Sequence, residues 1–486
     1  MKISCGNSNV EITTDDNIFN FIVRSLEFNK LSAYILHQTD QPTKYSYTVI
    51  GKTSDVDFTY STDVYSSSHQ ISVIGLYANT VTQVNLILES EDGQQEIVYF
   101  SFDTSSQDFS DVLTSVSFDI TDEEMMNNTL GQGWLITCFM NGYDKNGDLR
   151  LCGPYPWLTN NMKTIDNLCF YGNYSGEREH QYHTNIMYSG NLMGHIKTTF
   201  TAPDKYAFHH DITTDNKGNL YILGSLWADE PPEGTPEERQ EGIIYKYDIN
   251  TGELLWQRDH SREFDGMMVL MNSPVSDIHY NSLEYIEDYN QIITSSRNSS
   301  AVIGFDAETG DLIWVLQDPS FPVLPAKNLE IINSDGFVYP NGQHAVFLTY
   351  HEKYSSYWDE GKTVIVIFDN RSCAFEDGTP NMREIDSPVP DTYEAYPFDS
   401  RVYVMAIDLE NYTAELLDTF SVSGERTEFA GVAFELNGYF QLTMSDIFKF
   451  FILDTNNNVG VACHELDTKQ VYRSRIYTYD ELRSLI

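Results

Sequence analysis

The chain has 486 residues and carries 72 Asp+Glu against 29 Lys+Arg, a formal net charge of −43. Nucleic acids and anionic membrane surfaces both need a basic footprint, and this composition excludes one. No stretch approaches the roughly 20 apolar residues of a membrane span. An anionic small molecule would be repelled at long range, so any anion site must be built from local positive groups.

The first residues, Met1-Lys2-Ile3-Ser4-Cys5, run straight into polar sequence with no apolar core of a leader, and a cytoplasmic location is expected. The cysteines at 5, 138, 152, 169, 373 and 463 form no Cys-x-x-Cys pair. Free thiols in a reducing compartment are the expectation. Residues 1–115 carry alternating runs such as Tyr45–Ile50, His69–Ile74 and Gln83–Leu88. Asp92-Gly93 is a hairpin signal between Val84–Glu89 and Glu96–Phe102. The expectation is a small N-terminal β-sandwich domain, joined by a linker at Thr104–Ser110. Its edge strands could pair with a second copy in a homodimer.

Residues 116–486 read differently. Gly133–Met140 is a strand, and Tyr143–Arg150 a turn with its flanks. Two copies of one motif follow, Asp248-x-x-Thr251-Gly252-x-x-x-Trp256 and Asp306-x-x-Thr309-Gly310-x-x-x-Trp314, 58 residues apart. A repeat of that length built from short strands is the signature of a β-propeller. The span accommodates about six blades. The predicted fold is therefore all-β, a six-bladed β-propeller over 116–486 preceded by the sandwich. Asp215–Gly218 and Asp288–Asn290 read as hairpin turns, and Ser400–Asp408 and Gly431–Asp454 as later blades. The acidic Asp229–Glu241 segment and the proline-rich Cys373–Pro397 segment read as surface loops. Asp454–Asn458 resembles the start of a calcium loop but has its glycine one place late, so a plain hairpin turn is preferred.

Histidines recur near the start of three successive repeats: His209-His210, His279 and His344. If each lies on the strand nearest the propeller axis, they converge at one end of the central channel. On a strand, His279 and Asn281 point to the same face. Arg297 ends the strand returning from that hairpin. An arginine fork, an amide and several imidazoles make a receptor for a tetrahedral oxyanion. Neutral imidazole is also a competent nucleophile. A single such histidine is more often an ordinary polar plug, but repeat-equivalent histidines plus an arginine favour a site. Zinc is disfavoured by the cationic Arg297.

These segments bring a family into view. Phe208-His-His-Asp-Ile212, Ile278-His-Tyr-Asn-Ser282 with Thr294-Ser-Ser-Arg-Asn298, and Gly342-Gln-His-Ala-Val346 with Phe368-Asp-Asn370 resemble the bacterial arylsulfate sulfotransferases, which do not use the nucleotide sulfate donor. Gly133-Trp-Leu with Asp144–Arg150, Ser400-Arg-Val402 and Gly424-Glu-Arg426 fit further blades, and His69–Asn79 resembles the family's small β-domain. The resemblance implies sulfuryl transfer from an aryl sulfate to a phenol, with no cofactor, through a sulfohistidine on His344. Arg297, His279, Asn281 and one of His209 and His210 would hold the sulfuryl oxygens, and His279 is the expected proton shuttle. Aligning Asn219–Ser225 on Gln291–Arg297 favours His209 of the pair. Enterobacterial members carry a disulfide shortly before the nucleophile. Residues 328–343 hold no cysteine, so the segment Ile331–Asn341 must be ordered in another way. Two other readings compete: a non-catalytic binding propeller, which needs no His/Arg cluster, and a quinone-dependent propeller dehydrogenase, which needs acidic calcium ligands and adjacent cysteines.

Overall fold

The computed structural model describes residues 2–5, 8–14, 21–25, 29–137, 140–153, 164–165, 167–173, 183–226, 242–260, 263, 268–270, 278–321, 326–333, 337–377, 379–384, 397–428, 430–466 and 472–486. The Asp229–Glu241 loop and the stretch 385–396 of the proline-rich loop lie outside them.

The N-terminal part is a single eight-stranded sheet organised by one long strand, Ser32–Val49. Its first half pairs with Phe21–Ser25 and Ser66–Ile74, its second half with Phe58–Ser61 and Val81–Ser90. One strand thus changes partners midway. Alternation along Val81–Ser90 buries Val84, Leu86 and Leu88 and leaves Val81 and Gln83 outside, the pattern of a sheet with one covered face.

Among the described residues, six sheets of four or five strands follow, with one extra two-stranded pair. The third sheet holds Tyr206–Thr214, Asn219–Leu226, Ile243–Asp248 and Leu254–Asp259 as a meander, and the fourth holds Tyr280–Ile286, Gln291–Ser296, Ala301–Asp306 and Leu312–Leu316. The Asp-x-x-Thr-Gly motif is the turn before the last strand of each meander. Asp248 Oδ1 accepts the backbone N–H groups of Asn250 and Thr251, and Asp306 Oδ1 those of Glu308 and Thr309. Gly252 and Gly310 both take φ +71, the left-handed conformation that favours glycine. Asp454 Oδ1 likewise accepts the N–H groups of Asn456 and Asn458, as the plain hairpin reading requires.

Ring closure uses both ends of this region. The C-terminal strand Ser474–Thr478 pairs with Gly133–Thr137 and so supplies the first strand of the first sheet. Asp119–Ile120 pairs with Val459–Cys463 and supplies the last strand of the sixth. The leading strands of successive sheets, Tyr206–Thr214, Tyr280–Ile286, Ala345–Leu348, Val432–Leu436 and Ser474–Thr478, touch one another in that order. A propeller-like ring follows, and these strands are its inner wall.

The N-terminal sheet docks on the first sheet of the ring through Arg150. That side chain is fully buried, pairs with Asp144 at 2.9 Å and donates to the carbonyls of Gly75 and Val56. Asp144 does two jobs: Oδ1 caps its own turn through Asn146 and Asp148, and Oδ2 holds Arg150. Burial pushes its pKa up in spite of the guanidinium.

Candidate active site

His209 and His210 lie inside Tyr206–Thr214 where the strand bulges. Residues 209–211 fall between the pairs Phe208↔Gly224 and Ile212↔Ile222, where the partner strand has one residue. The equivalent bulge in the fourth sheet fits only Asn281 between Tyr280↔Ser296 and Ser282↔Ser295. His210 and His279 both carry positive φ, +52 and +53. Side-chain-bearing residues visit this region sparsely, and such strain clusters at functional sites. The His210 ring lies 4.8 Å from His279, 6.2 Å from His344 and 5.5 Å from Tyr472, centroid to centroid. His209 packs edge-on against His210, and their Nδ1 atoms hydrogen-bond. The preference for His209 therefore gives way to His210. Strict alternation along a strand fails at a bulge, because the extra residues re-aim the side chains.

His344 sits at the head of Ala345–Leu348, anchored by its own N–H to the Phe368 carbonyl at 2.9 Å. Its ring is oriented from the sixth sheet: Nδ1 lies 3.1 Å from the Gly431 carbonyl. A carbonyl can only accept, so Nδ1 carries the proton and Nε2 the lone pair. Gly431 has φ +126, and a Cβ there would stand 2.4 Å from the Phe368 ring; glycine is what lets this carbonyl approach. Burial, together with the positive charges of Arg473 and Arg297 and the nearby His279 imidazole, holds the His344 pKa well below its ordinary value. The imidazole is neutral at neutral pH, as a nucleophile must be.

The segment entering His344 is braced by polar contacts where the enterobacterial pattern has a disulfide. Asp369 Oδ1 accepts the N–H of Asn341 and of Arg371. The Asn341 amide donates to the Cys373 carbonyl, the Gly342 N–H to Ser300, and the Gln343 amide to the carbonyls of Ser296 and Ala301. Asn281 joins this brace: its Nδ2 donates to the Gln343 carbonyl at 3.3 Å.

Arg297 is buried, and its N–H closes the hairpin on the His279 carbonyl at 3.1 Å. Three partners were not found from the sequence. Tyr472 places its hydroxyl 3.0 Å from His344 Nε2. Arg473 pairs with Asp211 at 3.1 Å and donates to the Asn281 carbonyl. Asp211 also accepts the Leu283 N–H at 2.8 Å, so it ties the third sheet, the fourth and the closing strand together. The available signal was the Tyr-Arg-Ser-Arg-Ile-Tyr alternation at 472–477: a ring closed by its C-terminal strand must bring that strand to the axis.

The site gathers two guanidinium groups and the imidazoles of His210, His279 and His344 within an acidic protein, which suits a sulfuryl or phosphoryl oxyanion. Among the described residues no group of three or more His, Cys, Asp or Glu is placed to hold a metal ion. Residues 100–429 match the family Arylsulfotransferase (ASST), and residues 22–105 match the Arylsulfotransferase Ig-like domain. The chain belongs to the arylsulfotransferase family. This arylsulfotransferase is thus an enzyme acting on small aryl donors and phenol acceptors, with an Ig-like N-terminal domain. Among curated proteins none matches the chain. Similar solved structures include the periplasmic gluconolactonase PpgL of Pseudomonas aeruginosa, at 10% identity, covering 71% of this chain and 98% of its own, with a TM-score of 0.35. Sqt1 of Chaetomium thermophilum is 8% identical, covers 89% of this chain and 92% of its own, and has a TM-score of 0.33. No helix among the described residues is long and apolar enough to cross a membrane.

Proposed function

We propose that the enzyme moves a sulfuryl group from an aryl sulfate to a phenol in two steps, through a sulfohistidine on Nε2 of His344. The observation that carries this reading is the Gly431 carbonyl on Nδ1. It leaves the lone pair on Nε2, where the Tyr472 hydroxyl meets it, in a ring that burial and the neighbouring guanidiniums hold neutral. Nε2 attacks sulfur, the sulfur–aryl oxygen bond breaks, and the electron pair leaves on the phenolate. Sulfuryl transfer resembles phosphoryl transfer, whose loose transition state leaves catalysis to positioning and charge stabilisation. Arg297, His210, His279 and the second Asn281 N–H are the groups proposed to meet the sulfuryl oxygens. His209 supports His210 from behind.

The test is incubation with 4-nitrophenyl sulfate without acceptor, followed by mass analysis of the peptide containing His344. One SO₃ on His344, discharged by added phenol and missing in His344→Ala, is expected. Phenol-dependent turnover with no adduct under single-turnover conditions would instead mean direct transfer between bound donor and acceptor.

A further inference from the structure

A phenol-to-phenol transfer must also move a proton, from the acceptor hydroxyl to the departing phenolate. We propose that Tyr472 carries it, with Arg473 stabilising the tyrosinate between the two half-reactions. The proposal rests on the sulfohistidine reading above and assigns the acid and base of that reaction to Tyr472 rather than to His279.

Geometry fixes the direction of the hydrogen bond. His344 Nδ1 already donates to Gly431, so Nε2 has no proton, and at 3.0 Å the Tyr472 O–H is the donor. The proton is therefore stored at the atom where chemistry begins. The Tyr472 ring is buried, edge-on to His344 at 4.9 Å and 5.5 Å from His210. Its neighbour Arg473 stands 5.2 Å from the ring centroid and is locked by Asp211 and the Asn281 carbonyl. Burial alone would weaken that guanidinium's hold on its charge, but Asp211 and the Tyr472 phenol raise its pKa above the ordinary value. What stabilises the cation through the phenol stabilises the phenolate beside the cation by the same amount.

Chemistry favours tyrosine here. Proton transfer is most effective between groups of matched pKa. Leaving phenol, accepting phenol and tyrosine are the same functional group, with pKa values of about 10. A histidine acid would have to gain a positive charge beside the very guanidiniums that keep His344 neutral.

The steps balance without a further reactant. As the sulfuryl group enters, it displaces the Tyr472 hydroxyl from Nε2. Nε2 bonds to sulfur, the sulfur–oxygen bond breaks, and the aryl oxygen takes the Tyr472 proton. The first product leaves as a phenol, with tyrosinate facing Arg473. An acceptor phenol then gives its proton to the tyrosinate and attacks sulfur, and the nitrogen–sulfur electron pair returns to Nε2. Aliphatic alcohols, far weaker acids than phenols, are excluded by the same matching.

Tyr472→Phe tests this through donors that differ only in the leaving phenol. With 4-nitrophenyl sulfate, whose leaving group needs little protonation, the variant should lose far less of its rate of His344 adduct formation than with a poorer leaving group, and an unchanged circular dichroism spectrum and unfolding midpoint report that it folds. With unsubstituted phenyl sulfate it should be slower by about 10²–10⁴-fold. The sensitivity to leaving-group acidity should therefore steepen, and acceptors already ionised at the assay pH should be the ones still used. An equal loss on both donors, or no loss on either, overturns the assignment. A steepened dependence in His279→Asn with none in Tyr472→Phe overturns it in favour of His279. If wild type turns over without any adduct, the covalent step fails, and the leaving-group dependence of steady-state turnover still decides Tyr472.

Discussion

Two sets of aspartates in this ring use one chemistry to opposite ends. Asp248, at an outer turn, accepts N–H groups of Asn250 and Thr251 and the Thr251 hydroxyl, and those bonds lower its pKa in the presence of solvent. Asp369, beside the candidate nucleophile, also accepts two backbone N–H groups, from Asn341 and Arg371, yet burial pushes its pKa up to about 7. Among the described residues its buried Oδ2 has no hydrogen-bond partner. Outer turns thus write the fold with groups that solvent helps to stabilise. At the inner end the same kind of carboxyl is cut off from solvent, and burial favours its neutral form in spite of the two N–H groups it accepts.

The sharpest separation of the two regions is expected from His344→Ala. Loss of the proposed nucleophile should lower turnover by at least about 10³-fold, and the thermal unfolding midpoint should move little, since the imidazole's ring bonds are to one carbonyl and one phenol. A variant that unfolds instead would make His344 part of the architecture. Arg473→Ala comes next and should disturb both properties. It leaves Asp211 buried without its cation, a change expected to cost about 3–5 kcal/mol in denaturant unfolding. If stability holds, Asp211 is neutral or the pair is looser than its 3.1 Å separation implies.

Asp369→Asn probes the buried carboxyl by pH. An unfolded aspartate titrates near 3.9, and the folded one at about 7. Between those values the native state binds more protons, so this group's contribution to stability is present below about pH 4 and is lost as pH rises through 7. The amide cannot titrate and can keep both backbone bonds through its oxygen. Relative to wild type, the variant should gain stability between pH 4 and 7, by at most about 4 kcal/mol for a shift of three units. A difference that stays flat over that window would show that Asp369 is ionised in the fold.

The contrast between regions also explains what was legible in the sequence. The turn motif is local: Asp, Thr and Gly satisfy a backbone turn within five residues, so spacing alone revealed the repeat. The His209-His210 pair, His279 and His344 recur near the starts of successive repeats, and Arg297 follows the strand returning from the His279 hairpin, so periodicity directed attention to the inner strands. Orientation was not legible at His209-His210, because the bulge there is set by pairing with the 219–226 strand rather than by the strand's own sequence. Tyr472, Arg473, Asp211 and Gly431 were missed for a related reason. Each acts across sheets, on residues 128, 70 or more, and 87 positions away, and no local pattern encodes a contact that only ring closure creates. Asp211 was in plain view beside the histidine pair, but nothing nearby in sequence announces the arginine it holds.

The mildest change tests whether the outer turns are as independent of the chemistry as this division requires. Asp248→Ala removes the acceptor for three hydrogen bonds at an exposed turn. Its N–H partners are open to water, so the loss should be about 0.5–2 kcal/mol, like that of an exposed capping side chain. Gly252 keeps its left-handed conformation and its own bond to the Asp248 carbonyl, so the hairpin should re-form with the same register. Turnover with 4-nitrophenyl sulfate and phenol should match wild type within about twofold, because no atom of the turn reaches the histidine cluster and distant sites act independently. A clear fall in turnover would mean that strain in the outer turn of the third sheet passes along the meander to the bulge at His210, and the division between architecture and chemistry drawn from Asp248 and Asp369 would fail.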